Sequence, residues 1–257
     1  MTVRFDRTGM NARTAILTER VEIGLDGEAP MSAYLARPTG PGPFADVVVA
    51  AELFGVSAHV RDVCERLAAL GYRALAPDLH HRTSPGVELP EDAAGRERGF
   101  ELLQQMTRDQ VLSDVQAAID YLRTGKDARV GMVGLSVGGH IAYLAATKLD
   151  LAAVAVLYGG WIPTTEIPLG RPEPTLTCTP HITARMLILV GEQDHIIPPE
   201  HRQTIAQALR AAAVRHEIVE YSGALHGFLS DRRNTYQTEA ANDAWRRIQE
   251  LLSEELN

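Results

Sequence analysis

Residues 128–149, ARVGMVGLSVGGHIAYLAATKL, decide the fold of this 257-residue chain. The apolar run 128–136 predicts a buried strand, and the residues from 137 onward predict a helix that begins with no intervening loop. Such a junction needs a sharp turn at Ser136, which exposes the serine hydroxyl above the end of the strand. Gly134 and Gly138 fit this geometry because the turn brings backbone against backbone. The stretch therefore predicts a strand–serine–helix junction.

A G-x-S-x-G pattern is common by chance, so the interpretation depends on partners for Ser136. A serine hydroxyl is a weak nucleophile unless a base removes its proton, and that base needs an orienting acid. Asp194 follows the apolar strand that precedes GEQDHIIPP, and His226 follows the last predicted strand in YSGALHGF. The order Ser, Asp, His is typical of the α/β-hydrolase fold. Ser136, Asp194 and His226 are thus predicted to form a catalytic triad.

Units of strand and helix alternate on both sides of this junction, which indicates a doubly wound, mostly parallel sheet. An antiparallel β-hairpin is predicted at 18–37, turning at Asp26-Gly27, and the run ADVVVAAELFG (45–55) is the first central parallel strand. No linker or repeat is found, so one α/β-hydrolase domain over 1–257 is expected. Further strands are predicted at 73–79, 128–136, 151–160, 185–194 and 215–223, and helices at 60–72, 109–125, 137–149, 198–214 and 236–255.

Two segments interrupt this alternation. Residues 80–108 are first rich in helix breakers and then helical in pattern, so they form a possible cap segment over the site. Residues 161–180 contain five of the chain's 14 prolines, which excludes a long helix. Long irregular connections are often functional loops, although a surface loop without a role is an equal alternative.

Composition narrows the class of partner. A net charge of −8 and the lack of a polybasic run exclude a nucleic-acid footprint, and no apolar run is long enough for a signal peptide or membrane helix. Cys64 and Cys178 match no metal-ligand spacing, and the adjacent His80 and His81 lack a carboxylate at ligand spacing. No phosphate-binding glycine motif is present. A cytoplasmic enzyme without metal or cofactor, acting on a small molecule as a monomer or homodimer, is expected.

Acyl transfer also needs two donors for the oxyanion that forms when the carbonyl is attacked. The backbone N–H of Val137, at the start of the helix after the nucleophile, is one candidate. The backbone N–H of Leu53, in the loop after the first parallel strand, is the other.

Five motifs together resemble the dienelactone hydrolase (carboxymethylenebutenolidase) family. They are VVVAAELFG with Glu52, LAPDLHHRTSPG with Arg82, GLSVGG, GEQDHIIP and ALHGF, and they span residues 46–228. The resemblance implies an α/β-hydrolase, monomeric or loosely associated, that acts on small lactones or esters, often bearing a carboxylate. It also implies auxiliary roles for Glu52 and Arg82.

The sequence departs from the family pattern at two positions. Ser136 stands where the best-known members have a cysteine, so His226 must contribute more to activating the nucleophile. Ser230 stands where those members have an arginine that can pair with the glutamate matching Glu52. Arg82 could pair with a substrate carboxylate, with Glu52, or with solvent alone. Arg232 and Arg233 could replace the absent arginine, but a surface position is predicted for both.

Three aromatic residues, Phe54, Tyr158 and Trp161, lie near predicted strand ends, where they either line the pocket or pack in the core. His140 is predicted to pack, and His195 to be exposed. The function expected is hydrolysis of small esters or lactones through an acyl-enzyme. Two alternatives stay open: acyl transfer or amide cleavage on the same triad, and a non-catalytic binder that kept the pocket.

Overall fold

A computed structural model describes residues 2–4, 15–123, 125 and 128–256. The strands are β1 (Thr2–Arg4), β2 (Ile16–Ile23), β3 (Met31–Pro38), β4 (Asp46–Ala50), β5 (Arg73–Pro77), β6 (Val130–Leu135), β7 (Ala153–Leu157), β8 (Arg185–Gly191) and β9 (His216–Tyr221). The helices are α1 (Ala58–Ala69), α2 (Ala93–Leu103), α3 (Arg108–Leu122), α4 (Val137–Ala146), α5 (Pro199–Ala211) and α6 (Thr238–Leu256).

Within the described residues the strands form one nine-stranded sheet in the order β1-β2-β3-β5-β4-β6-β7-β8-β9. The six strands from β5 to β9 in this order are parallel. All residues of β4, β6 and β7 are buried, as continuous apolar runs covered on both faces require. The predicted α/β-hydrolase fold, with its mostly parallel sheet, is confirmed.

The predicted hairpin is also confirmed: β2 and β3 pair antiparallel, with Ile23 opposite Met31 and Thr18 opposite Ala36. Strand β3 then pairs antiparallel with β5 and joins the hairpin to the parallel sheet. The short strand β1, which was not predicted, extends this edge by pairing with β2. Three residues carry too little periodic pattern to be recognised as a strand in sequence.

Helices cover the sheet on both faces, so the core has two halves. Apolar side chains of α1 and α6 pack on one face, including Leu67 and Leu252. Those of α3, α4 and α5 pack on the other, including Ile119 and Ile205. No described helix is both long enough and apolar enough to span a bilayer.

The order of strands around β4 determines where a site can form. After β4 the chain crosses to β5 on one side and later returns to β6 on the other side. The loops that follow β4 and β6 therefore diverge and leave a crevice at the carboxyl ends of these strands. Residues 51–57 and Ser136 lie at this crevice.

The two irregular segments have local structure of their own. Within 80–108, the chain turns several times and then forms α2, whose Gly99 packs closely against the carbonyl of Leu53. This contact places α2 beside the loop after β4, while a capping role for the segment stays a prediction. Residues 161–180 contain the 3-10 helix Pro168–Gly170 and all but the last residue of a second one, Thr175–His181, in agreement with the exclusion of a long helix.

Candidate active site

Ser136 lies between β6 and α4 in a strained backbone conformation, with φ 56° and ψ −117°. Only glycine adopts such positive φ values easily, so the surrounding packing must hold the turn in place. A β-carbon on Gly134 would lie 2.1 Å from the carbonyl oxygen of Gly138, and one on Gly138 would lie 2.2 Å from that of Ala50. The two glycines therefore allow the turn to close and to touch the end of β4.

Ser136, His226 and Asp194 form a chain of hydrogen bonds. Ser136 Oγ lies 2.9 Å from His226 Nε2, and His226 Nδ1 lies 2.8 Å from Asp194 Oδ2. Because a carboxylate only accepts, Nδ1 carries the proton and donates it, and Nε2 is left to accept from the serine hydroxyl. The imidazole is thus oriented as a base toward Ser136.

Neighbouring strand ends position the imidazole of His226 and the carboxylate of Asp194. Asp194 follows β8, and its Oδ1 accepts a hydrogen bond of 2.9 Å from the N–H of Ile196. His226 follows β9, and the two loops are joined by the N–H of Gln193, which donates to the carbonyl of Ala224. Asp194 is only 3% exposed, so its charge acts on His226 with little screening by water.

The predicted oxyanion donors lie at the same edge of the sheet. Val137 is the first residue of α4, where a backbone N–H has no partner within the helix. Leu53 is buried in the loop after β4, next to the strand end that Gly138 contacts. The loop carrying Leu53 and the turn carrying Ser136 are therefore in direct contact.

Glu52 is nearly inaccessible to solvent, and Arg233 is its partner. Arg233 Nη1 lies 3.1 Å from Glu52 Oε1, and Nη2 pairs with Oε2. The predicted surface position of Arg233 is wrong, because the chain turns after Phe228 and brings the guanidinium back over Gly227. Arg232 is exposed as predicted and pairs with Asp62.

Arg233 has a second carboxylate partner, Glu91, which contacts its Nε. The guanidinium also lies over the ring of Phe54, at 5.2 Å from the centroid. Burial disfavours the charged guanidinium, but the carboxylates of Glu52 and Glu91 outweigh this effect and raise the pKa of Arg233. Sequence reasoning missed Glu91, since nothing in residues 84–92 indicates contact with a segment 142 residues further on.

Arg82 does not pair with Glu52, which corrects one of the alternatives proposed for it. Its Nε donates to Glu28 at 2.6 Å and its Nη1 to Asp114 at 2.5 Å. Asp114 is buried on α3 and also lies 3.3 Å from His81 Nε2. Arg82 therefore joins the hairpin turn to α3, and its ion pair with the buried carboxylate of Asp114 stabilises this position.

Tyr158 and Trp161 both have positive φ values, 41° and 61°. Tyr158 is fully buried, and its ring packs edge-on against His226, with the centroids 5.0 Å apart. Burial, reinforced by the charge of Glu52, raises the pKa of the Tyr158 hydroxyl well above its ordinary value. Trp161 is partly exposed and packs edge-on against Phe100 of α2. The two rings thus have different surroundings: Tyr158 packs against His226, and Trp161 contacts the 80–108 segment.

The remaining histidines lie outside the Ser136 chain. His140 is completely buried, with Nδ1 2.9 Å from the carbonyl of Gly160 and Nε2 2.8 Å from Thr175 Oγ1. Burial lowers the pKa of His140 to about 4. His195 is exposed as predicted, 6.3 Å from the ring of His226. Among the residues that the structure describes, no group of three or more His, Cys, Asp or Glu is placed to bind a metal ion.

A family model and the curated sequence relatives indicate the same family. The model of the dienelactone hydrolase family matches residues 31–256. A Synechocystis protein named "Putative carboxymethylenebutenolidase" is 39% identical over 88% of this chain and 92% of its own length. The carboxymethylenebutenolidase of Pseudomonas putida is 32% identical, with the same two coverages. A crystal structure titled "Putative Dienelactone Hydrolase" from Klebsiella pneumoniae superposes with a TM-score of 0.84 at 34% identity, covering 95% of this chain and all of that one. The resemblance predicted from the motifs is confirmed.

Proposed function

Because the chain belongs to the dienelactone hydrolase family, we propose that it hydrolyses small carboxylic esters or lactones through a covalent acyl-enzyme on Ser136. One observation carries this proposal: the hydrogen-bonded chain from Ser136 Oγ through His226 to Asp194, at 2.9 and 2.8 Å. Each distance is suited to proton transfer or to orientation of the base.

In the first half of the reaction, His226 Nε2 takes the hydroxyl proton as Ser136 Oγ attacks the substrate carbonyl. The resulting imidazolium is stabilised by the buried charge of Asp194 and then donates its proton to the leaving alkoxide. In a lactone the leaving oxygen remains attached to the acyl chain. In the second half, His226 activates a water molecule, which attacks the acyl carbon and releases Ser136.

The negative charge on the former carbonyl oxygen requires donors that are already in position. The N–H of Val137, at the start of α4, has the positive end of the helix dipole behind it. The N–H of Leu53 is the proposed second donor. The close contact of Gly138 with the end of β4 supports this assignment, because it fixes the spacing between the two loops.

Glu52 is not needed as a base in this mechanism. Both of its carboxylate oxygens are engaged by Arg233, whereas His226 already contacts the serine hydroxyl. A serine must lose its proton during the attack, since its hydroxyl is far too weak an acid to exist as an alkoxide beforehand. The proton therefore goes to His226.

Covalent labelling tests the nucleophile directly. A fluorophosphonate should modify the folded protein on the peptide containing Ser136, and the Ser136→Ala variant should not be labelled. Ser222→Ala, which removes an exposed hydroxyl bonded to Glu192, is the matched control and should label like the natural protein. Labelling that persists in Ser136→Ala would show that another residue is the nucleophile.

Turnover of p-nitrophenyl esters and simple γ-lactones tests the reaction. Asp194→Asn keeps an acceptor for the N–H of Ile196 but favours the wrong imidazole tautomer, so kcat should fall by roughly 10⁴-fold. A fall of less than about tenfold, in a folded variant, would contradict the role given to Asp194.

A further inference from the structure

Three charged side chains form a cluster beside the proposed triad, and the proposed reaction uses none of them. Two are the carboxylates of Glu52 and Glu91, and the third is the guanidinium of Arg233 between them. The side chains of Glu52, Glu91 and Arg233 are 1%, 21% and 15% exposed. This Glu52–Arg233–Glu91 cluster carries a net charge of −1.

The cluster lies against the reacting groups on two sides. Arg233 packs over Gly227, the residue after His226, where a β-carbon would come within 2.7 Å of Nη1. Glu52 precedes Leu53, the proposed oxyanion donor. The charges of all three cluster members act on the hydroxyl of Tyr158, whose ring packs against His226. The cluster therefore borders residues that would surround a substrate acyl group on Ser136.

The guanidinium has little capacity left for a substrate. Its two terminal nitrogens pair with both oxygens of Glu52, its Nε pairs with Glu91, and one face is covered by Phe54. The other candidate arginine, Arg82, donates hydrogen bonds to Glu28 and to the buried Asp114. Neither arginine is available to pair with a carboxylate on the substrate.

Resting on the proposed ester or lactone hydrolysis, we propose that the site selects uncharged substrates over carboxylate-bearing ones, with Glu91 as the specificity-determining residue. A substrate carboxylate either meets the net negative charge of the cluster or must displace one of its acids from Arg233. Displacing Glu52 would leave a buried charge without a partner, which is strongly unfavourable. Glu91 is the more exposed of the two acids, so it is the one that an entering substrate carboxylate would meet. Its negative charge repels that carboxylate.

The test uses two lactones of the same size. One γ-lactone carries a carboxylate substituent, and the other carries a primary amide at the same position. The natural protein should hydrolyse the amide lactone with a kcat/KM at least about tenfold higher than that for the carboxylate lactone. This is the size of effect expected from repulsion between two like charges in a partly screened site. Added salt should lower the ratio of these two kcat/KM values, because ionic screening weakens the repulsion.

Glu91→Gln removes one negative charge and keeps the size of the side chain. It should raise kcat/KM for the carboxylate lactone by about tenfold and change that for the amide lactone by less than about twofold. Glu88→Gln is the matched control, since Glu88 lies on the same loop but pairs with Arg20 and Arg61. It should change neither value.

Each outcome decides between the two proposals. Ser136-dependent hydrolysis that favours the carboxylate lactone, or a Glu91→Gln variant with an unchanged ratio, would overturn the selectivity and leave the hydrolase function intact. Absence of Ser136-dependent hydrolysis with either lactone and with simple esters would overturn the function itself. Should Glu91→Gln fail to fold, the salt dependence of the ratio in the natural protein decides the question.

Discussion

The turn that directs the hydroxyl of Ser136 toward His226 gives this residue a backbone conformation that a side chain with a β-carbon disfavours. Close backbone contacts at Gly134 and Gly138 hold the turn. The fold therefore positions the hydroxyl of Ser136 within hydrogen-bond distance of His226. Mutations at the two glycines should therefore act on Ser136 although neither glycine has a side chain of its own.

Gly138→Ala tests this dependence. The added β-carbon would lie 2.2 Å from the carbonyl oxygen of Ala50 and 2.5 Å from that of Ala51, so α4 and β4 must separate. We expect a loss of about 1–3 kcal/mol in the free energy of unfolding and a fall in kcat/KM of at least about tenfold. Urea denaturation and ester turnover measure the two effects. Gly24→Ala, which meets no atom within 4 Å, should change neither.

Sequence reasoning identified some site residues and missed others for a physical reason. Ser136, Asp194 and His226 each follow an apolar strand, and parallel strands place their carboxyl ends together, so their meeting could be predicted. The pairing of Arg233 with Glu91 depends on how two irregular loops fold back toward each other. Neither loop has a periodic pattern, and charge alone predicts only a solvated surface.

Among the secondary-structure elements, α4 and the irregular segment after β7 are joined by His140. Its Nδ1 lies 2.9 Å from the carbonyl of Gly160, and its Nε2 lies 2.8 Å from Thr175 Oγ1, which also accepts from Arg108 on α3. Burial, together with the nearby positive charge of Arg108, disfavours the charged imidazolium. Protonation of His140 would therefore place an unfavourable buried charge where α4 meets the segment carrying Trp161.

This connection predicts a pH dependence of stability. The pKa of His140 is about 4 in the folded protein and about 6.5 in an unfolded chain, so the unfolded state binds more protons between these values. The stabilisation is complete above about pH 6.5 and is lost as the pH falls toward 4, by about 3 kcal/mol. Urea unfolding at several pH values should show this slope. In His140→Gln the loss of stability between about pH 6.5 and 4 should be smaller by that amount, and an identical loss would contradict the assignment.

The hairpin turn and α3 are joined by Arg82 through Glu28 and Asp114. Arg82→Ala would leave the buried Asp114 without its arginine, so the free energy of unfolding should fall by about 3 kcal/mol. Turnover at a temperature where the variant is folded should stay within about twofold. Arg98→Ala, which breaks an exposed pair with Glu101, should cost less than about 1 kcal/mol. A large loss of turnover in a fully folded Arg82→Ala variant would restore a substrate role for this residue.

In the molecule as a whole, groups that stabilise the sheet and groups proposed to react lie in separate places. Helix α6 packs its apolar side chains on one face of the sheet, and the fully buried Leu252 lies against Gly131 near the start of β6. Ser136 follows the other end of the same strand. Stability and catalysis should therefore respond to different mutations.

Leu252→Ala tests that separation. Removing a buried leucine side chain should lower the free energy of unfolding by about 3 kcal/mol, while kcat/KM at 25 °C should remain within about twofold. Thermal unfolding and ester turnover are the measurements. Tyr121→Ala, at an exposed position on α3, should change stability by less than about 0.5 kcal/mol. If Leu252→Ala abolished turnover while folded, the two regions would be coupled.

The overall architecture was more predictable than its edges. Apolar runs bounded by turns identified the central strands, and helical spacing identified the crossovers, because both patterns reflect burial of long segments. Strand β1 was missed because three residues are too few to show a periodic pattern. The order of strands around β4 was not predicted, because it cannot be derived from local pattern.

That order also has a consequence for how the chain reaches its native state. Strands β4 and β6 are neighbours in the sheet, yet 79 residues lie between Ala50 and Val130, and the loops bearing Asp194 and His226 come later still. Closing such long loops costs chain entropy that only the assembled sheet recovers. A ribosome-bound chain that has not yet released β9 cannot hold the imidazole against the serine. During synthesis the serine hydroxyl is therefore without the imidazole, and the two proposed reacting groups meet only after the last strand has docked.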